Sequence, residues 1–387
     1  MNWRRPILLH CLAGAGLLLG TSGALGQTGV VRTRDTRLEG EIAMQPAAVQ
    51  VGTNTLPWDA VLYVLFDPAV RTLPLPHRVQ SLNGEAWVGE ITALSKGKLA
   101  FRFDLFGPRE VASVNLAVLD FSPEMAPQAP KAAGTLYLRD GEPLPGTLLW
   151  IDPQQLAVES PLGVLTVSRE RVLRYVFPAG ERARSKTNCS DEVRLVDGTI
   201  LRGFLQMETH QMTLRHPAFG DLRIPTATVR SIAKRPSDVL FLADLSPESG
   251  KSGGLFGATG GQNRLVVQRH DHPTANREGF LTSLQIPAQT TQVYRLGEAG
   301  ASGGVFHAWL GPMPGARGTA RVALLAGTNS LWARDIQAGE TLVPVSVPVS
   351  SASELAIQVE FGGRIGFPCG VCLADALVLT QPDKGRN

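Results

Sequence analysis

The chain has 387 residues, enough for two to four domains at ~100–200 residues each. Lysine and arginine total 37 against 34 acids, with no clustered basic stripe, which excludes a nucleic-acid footprint. Glycine (41) and proline (27) are abundant, which favours short elements joined by turns over long helices.

Residues 1–26 have the pattern of a secretory signal peptide. Arg4 and Arg5 precede an apolar run, and Ala24-Leu25-Gly26 is a small-x-small cleavage site before Gln27. The run is shorter than the ~20 residues that a membrane-spanning helix needs. The expectation is a secreted or periplasmic protein with no transmembrane segment after cleavage. Cys189, Cys369 and Cys372 then remain, too few for a disulfide-stapled scaffold.

Three turns recur at one period. Asn83-Gly84, Asp140-Gly141 and Asp197-Gly198 lie 57 residues apart, and each is followed at constant spacing by Gly89, Gly146 or Gly203. Such dipeptides between apolar runs predict hairpins with type I′ turns. A middle strand follows in each unit, at 99–103, 155–159 and 211–215, and then a last apolar strand near Val118, Val172 or Val229. A degenerate first copy precedes them, with Leu38-Glu39-Gly40-Glu41-Ile42 matching Val88-Gly89-Glu90-Ile91. The expected units are 27–75, 76–130, 131–187 and 188–236, each of about five short strands. The order of strands and glycines resembles the small Sm-like or SH3-like barrels. Sm-like proteins often bind RNA, but the lack of a basic stripe argues against that here. A spacer or protein-contact array is the expected role.

After Arg235-Pro236 the period stops. The segment 246–262 is rich in Gly and Ser and is expected to be a loop. Short apolar strands are predicted at 292–296, 305–310, 320–325, 342–347, 355–359 and 376–379, the spacing of a β-sandwich.

These residues resemble the NPCBM family of carbohydrate-binding modules, associated with glycoside hydrolase family 98. Val239 to Leu245 resembles its opening strand, and Tyr294-Arg295-Leu296 its Tyr-x-Leu strand. Residues 305–311 resemble its Phe-x-Ala-x-Val-Gly strand, and Leu373-Ala374-Asp375-Ala376 its closing Trp-Ala-Asp-Ala segment. The resemblance covers about 238–381. Cys369-Gly370-Val371-Cys372 stands where the family has Asp-His. A galactose-binding-like jelly roll over 237–382 is implied, with a glycan as its ligand. The fold class expected for the whole chain is therefore all-β, tandem small barrel-like repeats followed by that sandwich.

Several local motifs are better read as structure than as chemistry. Gly300-Ala301-Ser302-Gly303-Gly304 lacks the strand–turn–helix setting of a nucleophile elbow. Gly250-Lys251-Ser252 lacks the first glycine of a phosphate loop and reads as a flexible loop. His270-Asp271-His272 offers two imidazoles and no third ligand. No cofactor or metal is expected. Cys369 and Cys372 are expected to form a local disulfide, with Cys189 free.

The expected function is non-catalytic glycan recognition. Trp309 or Trp332 would stack on a sugar face, and His307, Arg334 or Asp335 would bond its hydroxyls. Strand alternation places His307 and Trp309 on one face and Phe306 and Ala308 on the other. The alternative is a structural or protein-interaction scaffold in contact with other envelope proteins.

Overall fold

The computed structural model describes residues 27–67, 76–122, 133–178, 191–208, 211–245, 247, 250–252, 280–297, 303–349, 353–363 and 369–380. The signal-peptide reading, Cys189 and His270-Asp271-His272 lie outside these residues.

The described part is antiparallel β throughout, with short 3₁₀ turns and no α-helix among the described residues. Unit I comprises β1 (Gln27–Thr33), β2 (Arg37–Met44), β3 (Ala48–Val51), β4 (Asn54–Pro57) and β5 (Val61–Phe66). Unit II comprises β6 (His77–Ser81), β7 (Ala86–Ser95), β8 (Lys98–Phe103), β9 (Gly107–Ala112) and β10 (Leu116–Asp120). Unit III splits its second strand: β11 (Thr135–Leu138), β12 (Leu144–Pro145), β13 (Thr147–Ile151), β14 (Gln155–Ser160), β15 (Gly163–Ser168) and β16 (Val172–Val176). Unit IV comprises β17 (Asp191–Leu195), β18 (Ile200–Met207), β19 (Gln211–His216), β20 (Gly220–Pro225) and β21 (Val229–Ala233).

Each unit has one topology. Four strands form a meander, and the last strand returns to pair with the first, as β5 does with β1, β10 with β6, β16 with β11 and β21 with β17. In units II to IV a 3₁₀ turn precedes that return: Ser113–Asn115, Arg169–Arg171 and Thr226–Thr228. These are small barrel-like units. The recurrent Gly89, Gly146 and Gly203 lie in or beside the second strand, where it bends across the third. A Cβ at Gly146 would sit 2.5 Å from the Glu159 carbonyl oxygen, and Gly89 and Gly203 press equally on the carbonyls of Arg102 and Arg215. Only glycine fits such a close backbone approach.

The turns at the other repeated glycines are not type I′. Gly84 and Gly198 have φ of 87° and 91°, whereas Asn83 and Asp197 stay at negative φ. The Gly198 N–H donates to the Leu195 carbonyl and the Leu195 N–H to that of Thr199. This is a three-residue loop, a type I turn closed by a left-handed glycine. A turn with both central residues at positive φ, Lys96 (49°) and Gly97 (72°), joins β7 to β8 instead.

The units are not beads on a string. Their last strands pair antiparallel, β10 with β16 and β5 with β21, joining unit II to unit III and unit I to unit IV. One continuous hydrophobic core, from Val31 to Ile232, runs through all four. Between units II and IV, the Glu85 carboxylate accepts from His216 Nε2 (2.8 Å) and from the Arg202 N–H (2.6 Å). His216 Nδ1 accepts from the Ala218 and Phe219 N–H groups, which fixes the proton on Nε2.

The C-terminal module adds β22 (Val239–Phe241), β23 (Gly250–Ser252), β24 (Ser283–Pro287), β25 (Thr290–Arg295), β26 (Gly304–Pro312), β27 (Ala320–Ala326), β28 (Asn329–Ile336), β29 (Val343–Pro348), β30 (Glu354–Phe361) and β31 (Gly370–Thr380). One sheet has the order β22-β31-β26-β29, with β24 beside β22 on β31; the other has the order β23-β25-β30-β27-β28. The chain crosses between sheets at nearly every connection, which makes a jelly-roll sandwich. Phe306, Ala308, Leu310, Val322, Leu324, Ile357 and Val359 fill the space between the sheets. Gly250-Lys251-Ser252 is an edge strand paired with β25, not the flexible loop that its composition suggests.

Candidate functional site

Both faces of β31 are covered, and nine successive residues of it, Gly370–Val378, are buried. One face meets the sandwich core. The other meets units I and IV through an apolar junction of Val30, Leu62, Tyr63, Ala233, Val239, Phe241, Leu281 and Leu377. At its centre β31 bulges: Asp375 has φ of 47°, and two residues there oppose one on β26. Asp375 Oδ1 accepts from the Leu281 and Thr282 N–H groups at 3.0 Å each, and the Tyr63 hydroxyl donates to Oδ2 at 2.5 Å. Burial pushes the Asp375 carboxyl above its ordinary range, against the pull of these bonds and of Arg32. Burial and the neighbouring carboxylate hold the Tyr63 phenol well above its usual value. Arg34 pairs with Asp238 at the rim.

This junction decides the place of two expected binding residues. His307 and Trp309 do share the face opposite Phe306 and Ala308, but unit I and Phe280 cover that face. His307 is half-buried beside Arg32 and Asp35, and burial lowers its pKa. The Trp309 ring packs on Phe280 at 5.6 Å, and the Arg37 guanidinium lies 5.0 Å over the same Phe280 ring. Neither residue is placed at an open end of the sandwich.

The other three candidates lie on β28, an edge strand, and divide between its faces. Trp332 pairs with Leu324 and Arg334 with Val322, so both are on the side of the sandwich core. Trp332 is half-buried against that core. Arg334 emerges at the edge, and its guanidinium donates to Glu340 Oε2 at 3.3 Å. Asp335 pairs with Arg321 on the opposite, outer face, with 3.9 Å between their charged groups. It therefore does not converge with Trp332 and Arg334.

Beside Glu340 a shallow hollow of about 250 Å³ is lined by Pro312, Met313, Pro314, Gly315, Ala316, Gly339, Glu340 and Leu342. The Gln337 N–H donates to Glu340 Oε1 (3.1 Å), which leaves the carboxylate braced from two sides. Residues 312–314, which the sequence shows only as a Pro-Met-Pro run, form one wall. Glu340 itself carries no motif and was not among the residues that the sequence singled out.

No disulfide joins Cys369 to Cys372, and both side chains are buried. Cys369 faces the sandwich core and Cys372 lies one strand-alternation out of step, since Val371 and Leu373 also face the core. An extended chain carries Cα atoms three positions apart to ~10 Å, beyond the ~7 Å limit for bridging. Burial raises the Cys369 thiol pKa. Non-reducing alkylation followed by peptide mass mapping is expected to modify Cys369 only after unfolding; rapid modification of the native protein would contradict its burial.

No protein-family model and no curated protein matches the sequence. Among solved structures, the chain is similar to the CBM51 module of Clostridium perfringens GH95 in complex with methyl-galactose. That match has 18% identity and a TM-score of 0.27, and it covers 36% of this chain and 99% of the module. The tandem CBM51 modules of the family 98 glycoside hydrolase from Streptococcus pneumoniae match at 11% identity and a TM-score of 0.30, over 68% of this chain and 93% of theirs.

Proposed function

We propose that this is an exported, non-catalytic binding protein whose C-terminal sandwich recognises carbohydrate at the β28 edge. The observation that carries this reading is the placing of Trp332 and Arg334 on one side of an edge strand, with Arg334 bonded to Glu340, which lines a hollow. A guanidinium and a carboxylate held together present fixed donors and acceptors to vicinal hydroxyls, and a half-buried indole offers an apolar flank. At about 250 Å³ the hollow is smaller than the ~300–1,000 Å³ of drug-sized pockets, so it suits one sugar ring or a chain end. His307, Trp309 and Asp335 are not part of this site.

A glycan-array screen of the intact protein, followed by calorimetric titration of the hits, tests the reading. Arg334→Ala is expected to weaken binding at least ~10-fold, the cost of one charge-assisted hydrogen bond of about 1.5–3 kcal/mol. Trp332→Phe is expected to weaken it less while leaving the fold intact. Absence of binding at millimolar saccharide would favour a second reading, a protein-interaction scaffold. One observation supports that alternative: Leu105, Val114, Leu149, Leu162, Val164 and Phe204, the exposed large apolar side chains among the described residues, all lie in the repeat units.

A further inference from the structure

We propose that the chain self-associates as a two-fold dimer through the free edge of β15, two copies pairing antiparallel to continue the sheet of unit III. Each unit leaves its fourth meander strand with one neighbour. Among the described residues β4 pairs only with β3, β9 only with β8, β15 only with β14 and β20 only with β19. Such edges template further pairing unless charge, proline or shortness blocks it. Three of the four are blocked. β9 carries Pro108, Arg109 and Glu110; β20 carries Asp221, Arg223 and Pro225; β4 has four residues and ends in Pro57. β15 reads Gly-Val-Leu-Thr-Val-Ser, with neither charge nor proline over six residues.

The unguarded strand is also exposed. Val164 is 60% accessible, and Leu162 in the preceding turn is 92% accessible. At the position of Val164, unit IV has Asp221, which pairs with Arg215. The repeat therefore does not need an apolar residue there to fold.

A second copy of the chain is the occupant that fits this edge best. An isologous antiparallel pair sets the strand against itself, so any charge it carried would meet its own kind at or near the axis. β15 has none. The protein already joins its own units by antiparallel pairing of strand edges, at β10 with β16 and β5 with β21. Pairing at β15 would extend the same rule between molecules and would bring Leu162 and Val164 of both copies onto one continuous surface.

Sedimentation velocity over a hundredfold concentration range tests the proposal on the intact protein. The expected result is a reversible monomer–dimer equilibrium. Val164→Lys should raise the dissociation constant at least ~100-fold, because like charges set together cost several kcal/mol. Unchanged circular dichroism and melting temperature would show that the variant monomer is folded. Within 163–168, the amides that point away from β14 should exchange slowly in the dimer and fast in the variant, while those bonded to β14 stay protected in both. Phe204→Ser, which removes an exposed ring on unit IV, should leave the equilibrium unchanged. A wild-type chain that stays monomeric throughout would overturn the proposal. So would a dimer that survives Val164→Lys, or one that Phe204→Ser dissociates equally.

Discussion

Replacing Asp375 with alanine is expected to destabilise the protein by about 3 kcal/mol and to loosen the sandwich from the repeats. The substitution strands two buried N–H donors, at Leu281 and Thr282, and removes the carboxylate that accepts from the buried Tyr63 hydroxyl. An unsatisfied buried donor costs about 1–3 kcal/mol. The residue also holds φ of 47°, which alanine adopts less readily than aspartate or asparagine. Calorimetry should show one transition for the wild type and two for Asp375→Ala. Tyr63→Phe removes one bond and should cost about 1 kcal/mol.

Asp375→Asn separates charge from hydrogen bonding. The folded protein holds the Asp375 carboxyl at a raised pKa, so it binds that proton more tightly than the unfolded chain does. Its contribution to stability is then fully present below the unfolded value near 3.8 and is lost as pH rises through the folded value. The amide has no such titration. The stability gap between Asp375→Asn and wild type should therefore shift in favour of the variant as pH rises above about 4, followed by urea unfolding at fixed salt. A gap independent of pH would show that the carboxyl titrates alike in both states.

Gly203→Ala is expected to be equally damaging, with a loss of about 3 kcal/mol or failure to fold. The added Cβ would lie well inside van der Waals contact of the Arg215 carbonyl oxygen and 3.0 Å from its carbon. Overpacking against yielding side chains costs about 1–3 kcal/mol, and here the obstacle is backbone. The neighbouring Phe204 is 65% exposed, so Phe204→Ala should stay within ~0.5 kcal/mol. Thermal unfolding of the two variants side by side checks the contrast. Similar melting temperatures would mean that the second strand need not bend where the glycine sits.

The periodic glycines made the repeat legible because backbone geometry demands that one residue type. Alternation in 211–215 did the same for β19: Met212 and Leu214 are buried while Arg215 is exposed. The turn type was misread because Asn-Gly and Asp-Gly serve two hairpin geometries, and only the φ of Asn83 and Asp197 tells them apart. The site was less legible still. Alternation correctly put His307 opposite Phe306, but it cannot say whether the opposite face meets water or another domain. Here unit I covers it, through Tyr63, which is 312 positions from its partner Asp375. Glu340 stayed hidden for a related reason: a lone acid in a loop carries no period. Asp375 was visible only as part of a closing-segment motif, and the motif did not show that its carboxylate is the hinge-pin between modules.

The pairing of β5 with β21 has a consequence for how the protein is made. Unit I emerges first from the ribosome, and its partner edge in unit IV emerges last among the repeats. Until then β5, with the uncharged sequence Val-Leu-Tyr-Val-Leu-Phe, has one side without its native neighbour. Contacts so distant in sequence close slowly, and unpaired apolar strands aggregate while they wait. The nascent array is thus most open to misassociation between the first unit and the fourth, and that exposure of β5 ends when β21 is complete.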